Sequence, residues 1–261
     1  MAYEDKLLRR IDQERGVSNN PLFVDKIQTH WEKLRPQLKD FGDVYSRKEI
    51  ETDGKQLNEL KKKFEFKGET AIIGEVVIME GVYEEQWLSK EVEVMPTSEY
   101  DDVKHGIDFV MRFEDEEEKK FMYLGVDVTT SLNPVVIENK RQDIFNFLSR
   151  GELGKLKYFE DPKAGIKGEL RLPRIALVID PEQTLRMEEI MVKKSRERSP
   201  IEKKILSEIK EKIEEQVIAQ LENIIANIEN KLLFAAHNPE KVKAYKEFLE
   251  KYQEILNKLK K

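Results

Sequence analysis

Two stretches, GIDFVMRF (Gly106–Phe113) and YLGVDVTTS (Tyr123–Ser131), decide how this chain is read. Both have the apolar, β-branched look of strands, and each carries an aspartate inside it, Asp108 and Asp127. A carboxylate in such a run opposes folding unless something pairs with it. Between them lies EDEEEKKF (Glu114–Phe121), a polar stretch suited to a hairpin tip. Alternate strand residues face opposite sides. Ile107, Phe109, Met111 and Phe113 then form one face of the first strand, with Asp108, Val110 and Arg112 on the other. In the second strand Leu124, Val126 and Val128 share a face, leaving Tyr123, Gly125, Asp127 and Thr129 opposite. A turn centred between Glu117 and Glu118 sets Asp108 directly across from Asp127, with Cβ atoms ~5 Å apart. A slip of one residue would turn the apolar faces outward, which opposes it.

Two facing carboxylates repel by roughly 4 kcal/mol at 4 Å with an effective dielectric near 20. A shared proton, a basic neighbour or a divalent cation would relieve this. The chain has no cysteine, and its histidines are His30, His105 and His237. Oxygen ligands without thiolates favour Mg²⁺ or Mn²⁺ over zinc. Glu75 is the best third carboxylate, because it lies among apolar residues midway along ETAIIGEVVIMEGVYEEQWL (Glu69–Leu88). Glu80 and Glu84 lie nearer that segment's polar end. The plainer account of Asp108 alone is a strand aspartate that caps a loop or pairs with Arg112.

The pattern around these strands indicates a mixed α/β layer structure. The apolar spacing of Glu69–Leu88 and its length fit a buried helix. KEVEVMP (Lys90–Pro96) alternates like a strand, and TSEYDDVKHG (Thr97–Gly106) reads as a polar connection. A helix is predicted over Pro134–Arg150, with Asn133 as N-cap and Gly151 as terminator. KLKYFED (Lys155–Asp161) and RIALVID (Arg174–Asp180) read as further strands. Before the core, residues 1–65 read as helices broken by GVSNNP, RP and DFGD. After it, Leu206, Ile209, Ile213, Val217, Leu221, Ile224, Ile228 and Leu232 mark one long amphipathic helix. HNPE (His237–Glu240) breaks it, and Val242 to Leu259 carry a second stripe, predicting an antiparallel helical hairpin. Covering the core is the default use of that hairpin; clamping a partner or forming a homodimer are the others. The expected divisions are therefore 1–65, 66–185 and 186–261.

Charged residues make up 38% of the 261 residues, against roughly 25% in ordinary globular chains. The net charge of −6 argues against a general polyanion binder. Locally the balance reverses: Lys140–Arg174 holds nine Lys or Arg against five Asp or Glu. Such a strip suits a phosphate backbone, with Lys155 and Lys157 as contacts, or is simply a solvated face. The start lacks a signal-peptide apolar region, and no run reaches membrane-spanning length. With the absent cysteine, this predicts a cytoplasmic protein with no membrane partner.

The residues also resemble the PD-(D/E)xK nuclease superfamily over about Gly68–Asp180. Its order is a helical Glu, an Asp on the second strand, (D/E)xK on the third, then a helix and more strands. Glu75, Asp108 in GIDFV and Asp127 in GVDVT match. The resemblance implies a central mixed sheet flanked by helices. It also implies hydrolysis of nucleic-acid phosphodiesters, DNA foremost, with Mg²⁺ or Mn²⁺ held by these acids. Thr129 stands where the motif lysine belongs, and its hydroxyl can position water but supplies no charge. Lys140 on the following helix is the obvious substitute, and Lys104 a second one that also suits nucleic-acid contact. His105 reads as a water or phosphate contact or a plain loop residue. Asp101 and Asp102 read as exposed turn residues or loop metal ligands. The rival expectation is a catalytically degenerate nuclease fold that binds nucleic acid or protein.

Overall fold

The structure, a computed structural model, describes residues 20–63, 69–89, 91–115, 119–235 and 237–260. The expected hairpin-centred sheet is there. β1 (Val92–Pro96), β2 (Phe109–Asp115) and β3 (Lys120–Thr129) form an antiparallel meander, and β6 (Arg174–Val178) adds parallel to β3. The chain reaches β6 through helix α5 (Pro134–Arg150), capped by Asn133 and stopped by left-handed Gly151. Between them β4 (Gly154–Asp161) and β5 (Ile166–Leu172) pair as a separate two-stranded sheet. The β2–β3 ladder runs from Phe109↔Val126 to Asp115↔Lys120, the register predicted from the tip. The centre of that tip lies outside the described residues.

The sheet's two faces pack differently. Phe109, Met111, Phe113, Leu124, Val126 and Val128 join the main core with helix α3 (Glu69–Tyr83). That helix is buried on most sides through Ile73, Val76, Val77, Ile78 and Met79, which is why it has the composition of a strand. On the opposite face Val110 and Tyr123 meet Leu156, Phe159 and Leu172 of the small sheet. Ile107 packs there too, not with Phe109, because regular pleating begins only at Phe109.

Three elements differ from expectation. Thr97–Gly106 is not a polar loop: Glu99–His105 is a helix, α4, with Ser98 as N-cap and left-handed Gly106 at its end. β5 was not expected, and neither was helix α6 (Pro181–Met191), capped by Asp180. The rest of the N-terminal region that is described comprises a helical stretch ending in α1 (Thr29–Leu34) and helix α2 (Arg47–Lys63); the break at GVSNNP lies largely outside the described residues.

The long helix α7 (Pro200–Phe234) and α8 (Pro239–Leu259) form the predicted hairpin. Its apolar stripe, from Leu206 to Ile228 and Tyr245 to Ile255, lies in the main core. It also finishes the sheet. β6 is an edge strand, and its backbone groups that point away from β3 need partners. Tyr252 Oη accepts from Arg174 N (3.1 Å) and donates to Arg174 O (3.2 Å). Gln220 pairs with both backbone groups of Ala176, at 3.1 and 2.6 Å, and Gln216 with both of Val178, at 3.0 and 2.9 Å. Alternate residues of the edge are thus satisfied by side chains in place of another strand. The hairpin covers this chain's own core, and its stripe leaves the homodimer expectation without support.

Candidate active site

Beside the open end of the β2–β3 hairpin lies a cavity of about 830 Å³. α3 supplies Glu75, Val76 and Met79 to its wall, and α4 supplies Asp102 and His105. Asp108 and Asp127 come from the strands, Lys140 and Phe147 from α5, and Arg35 from the segment after α1. The acids are placed by local chemistry. α4 stops at Gly106, whose φ of +63° suits a residue without a side chain, and the chain turns directly into Asp108. Asp108 lies one step before the regular ladder. Its N–H donates to Val126 O at 2.8 Å, and its Oδ2 accepts from Val128 N–H at 2.6 Å. The carboxylate therefore leans along β3, next to Asp127.

Glu75, Asp102 and Asp108 each offer an oxygen, and these lie within 4.8 Å of one another. All three residues are buried. Asp102, read from sequence as an exposed turn residue or a loop metal ligand, belongs to α4 and lines the cavity. Its neighbour Asp101, read from sequence in the same two ways, is fully buried on another side of the helix. There Asp101 accepts from the backbone N–H groups of Lys157 and Tyr158 at 2.7 and 2.9 Å, where β4 bulges away from β5. Burial raises the Asp101 carboxyl above its usual range, and those hydrogen bonds oppose the rise.

Asp127 is held differently from the other three acids. Lys140 Nζ contacts its Oδ1 and also donates to Val128 O at 3.2 Å. Arg174 Nη2 lies 3.5 Å from its Oδ2. Burial, then the neighbouring Asp108, raise the Asp127 carboxyl, while Lys140 and Arg174 pull it down. The three-acid cluster thus uses Asp102 where Asp127 was expected, with Asp127 adjoining it as the seat of Lys140. Arg35, unexpected from sequence, bridges Asp102 (3.2 Å) and Glu75 (3.4 Å). Burial works against the charge of Arg35, but Asp102, Glu75 and Asp108 outweigh it and raise its pKa.

The remaining candidates separate clearly. Thr129 is buried and does not line the cavity; its hydroxyl accepts from Ser131 N–H at 3.3 Å. Lys104 and His105 line the cavity. Burial, then Lys155, Lys104 and Arg174, push His105 down to about 4, so it is neutral at pH 7. Glu80 accepts from Trp31 Nε1 at 3.0 Å rather than joining the cluster. Arg112 pairs with Glu93 and Asp161, not with Asp108. The basic strip is divided among α5, the small sheet and β6, and its lysines on and beside the small sheet are matched by acids. Lys155 pairs with Glu169 (2.7 Å), Lys157 with Asp53 (2.6 Å) and Lys163 with Glu93 (2.9 Å). Lys157 faces inward between Asp53 and the Tyr45 ring, which removes it from an exposed phosphate track.

No family model, curated protein or solved structure matches the chain. No described helix is long and apolar enough to cross a membrane.

Proposed function

We propose that this protein is a divalent-metal-dependent hydrolase of nucleic-acid phosphodiester bonds, built on a PD-(D/E)xK-like core. The observation that carries the reading is the convergence of Glu75, Asp102 and Asp108 beside an Asp127–Lys140 pair. The element order supports it: a helical Glu, an Asp entering the second strand, an Asp on the third, then a lysine-bearing helix and a parallel strand. The fit of a metal rests on donor chemistry. Three hard carboxylate oxygens, grouped and buried without thiolate or imidazole among them, suit Mg²⁺ or Mn²⁺. When bound there, such an ion supplies Lewis acidity toward the phosphate oxygens and the attacking water.

The chain's own groups supply the rest. Lys140 is fixed by Asp127 and Val128 O, so its ammonium stands at a set point of the cavity wall and holds the attacking water. Asp127 thereby serves as a positioning residue for Lys140. The guanidinium of Arg174, also against Asp127, stacks near Phe147 and balances negative charge developing at the phosphate. Water adds to phosphorus, one P–O ester bond breaks, and a phosphate monoester and an alcohol leave. A cavity of about 830 Å³ has the size of a small-ligand site. That favours a strand end or single-stranded segment over an intact duplex as the substrate. The rival reading, a degenerate binding fold, is favoured by Thr129 at the motif lysine position; Lys140 on Asp127 weighs against it.

The test is incubation of purified protein with labelled single-stranded and duplex oligonucleotides. Cleavage of the single strand with Mg²⁺, abolished by EDTA, is expected. No cleavage of either under millimolar Mg²⁺ or Mn²⁺ refutes the enzymatic reading.

A further inference from the structure

Arg35 holds two of the three acids that a metal there would need. It is the residue after α1, its backbone is extended, its N–H is bound to Glu32 O at 3.3 Å, and Pro36 follows. The main chain is therefore constrained, while the side chain reaches into the cavity and remains 18% exposed. Its guanidinium bridges Asp102 and Glu75, two of the three grouped acids. A guanidinium is a single charge spread over a plane. Mg²⁺ puts two charges in one atom and takes oxygens at about 2.0–2.1 Å. Glu75 Oε2 and Asp102 Oδ2, which hold the guanidinium, cannot serve the ion at the same time.

Resting on the metal-dependent reading above, we infer that Arg35 and a divalent cation are alternative occupants of the Glu75–Asp102–Asp108 cluster. Metal entry releases the guanidinium into the cavity, where it binds a phosphate of the substrate. Arg is suited to that second role, because its paired donors match two phosphate oxygens. Two consequences follow from the exchange. Apparent metal affinity is reduced by the fraction of molecules in which Arg35 holds the cluster. Substrate phosphate that captures Arg35 restores it, so metal and substrate strengthen each other's binding reciprocally.

The experiment is calorimetric titration of the full chain with Mn²⁺, comparing the unmodified protein with Arg35→Gln, with thermal unfolding in parallel. Arg35→Gln is expected to bind Mn²⁺ on the order of tenfold more tightly. It should melt lower without metal and show a larger rise in melting temperature when Mn²⁺ is added. With Mn²⁺ present, a phosphorothioate dinucleotide should bind Arg35→Gln more weakly than the unmodified protein. Should Arg35→Gln fail to fold, Arg35→Lys replaces it; it keeps the charge, loses the two-pronged contact and should shift Mn²⁺ affinity in the same direction. Mn²⁺ binding that is equal or weaker in the variant overturns the exchange while leaving the metal site standing. Equal dinucleotide binding overturns the phosphate role. Absence of Mn²⁺ binding in both proteins overturns the metal reading and the exchange together.

Discussion

In the proposed hydrolase, Lys140 takes the role that Thr129 cannot fill at the motif position. It lies on α5, thirteen residues after Asp127 in sequence, and the parallel crossover from β3 to β6 brings it back over that aspartate. Lys140→Met is expected to lower kcat by about 10²-fold or more. Mn²⁺ affinity, measured by calorimetry, should stay within a few-fold, because Lys140 is held by Asp127 and Val128 O. Loss of both together would make Lys140 part of the metal site's support. Glu75, Asp108 and Asp127 were legible in sequence, since strand alternation and a buried helical Glu are local signals, whereas Lys140 was named only through the resemblance. Arg35 and Arg174 were not, because each reaches the site only through tertiary packing. Asp102 had a partial signal: Ser98 and Gly106 bracket it as a helix cap and stop.

At the level of elements, α4 was misread because Ser, Asp and Gly are the residues of turns as well as of caps. β5 was missed because IKGELRL mixes charges with Gly168, whose φ of +119° marks an irregular strand. The apolar stripe of the C-terminal hairpin was legible, but its second task was not. Gln216 and Gln220 are spaced one helical turn apart and lie in a stripe neighbour's position, yet they serve the edge of β6. Gln220→Leu leaves both backbone groups of Ala176 without those partners. A loss of about 1–3 kcal/mol is expected in urea unfolding, with greater self-association as the edge opens. Unchanged stability in Gln220→Leu would mean that water satisfies the edge and the hairpin acts by apolar burial alone.

For the whole molecule, the N-terminal helices are joined to the core by a polar network as well as by packing. Asp53 of α2 accepts from Lys157 and Tyr158 of β4, each at 2.6 Å. Burial would raise its carboxyl, but those bonds and the Lys157 charge hold it below the ordinary 3.8. A lowered folded-state pKa contributes stability that is present above the unfolded value and lost as pH falls through the folded one. Asp53→Asn should therefore cost about 2–3 kcal/mol at pH 7. The deficit should shrink as pH falls below about 4; a deficit independent of pH would assign it to shape rather than charge. Because the segment carrying Arg35 precedes α2, this tie also helps to seat the cavity wall.

Calorimetric titration of Mn²⁺ into the unmodified protein and into Asp108→Asn is the most direct test that the grouped acids are a metal site. Binding at millimolar Mn²⁺ or below, weakened by about 10²-fold or more in Asp108→Asn with the circular dichroism spectrum unchanged, is predicted. No binding by the unmodified protein, or equal binding by both, would contradict it.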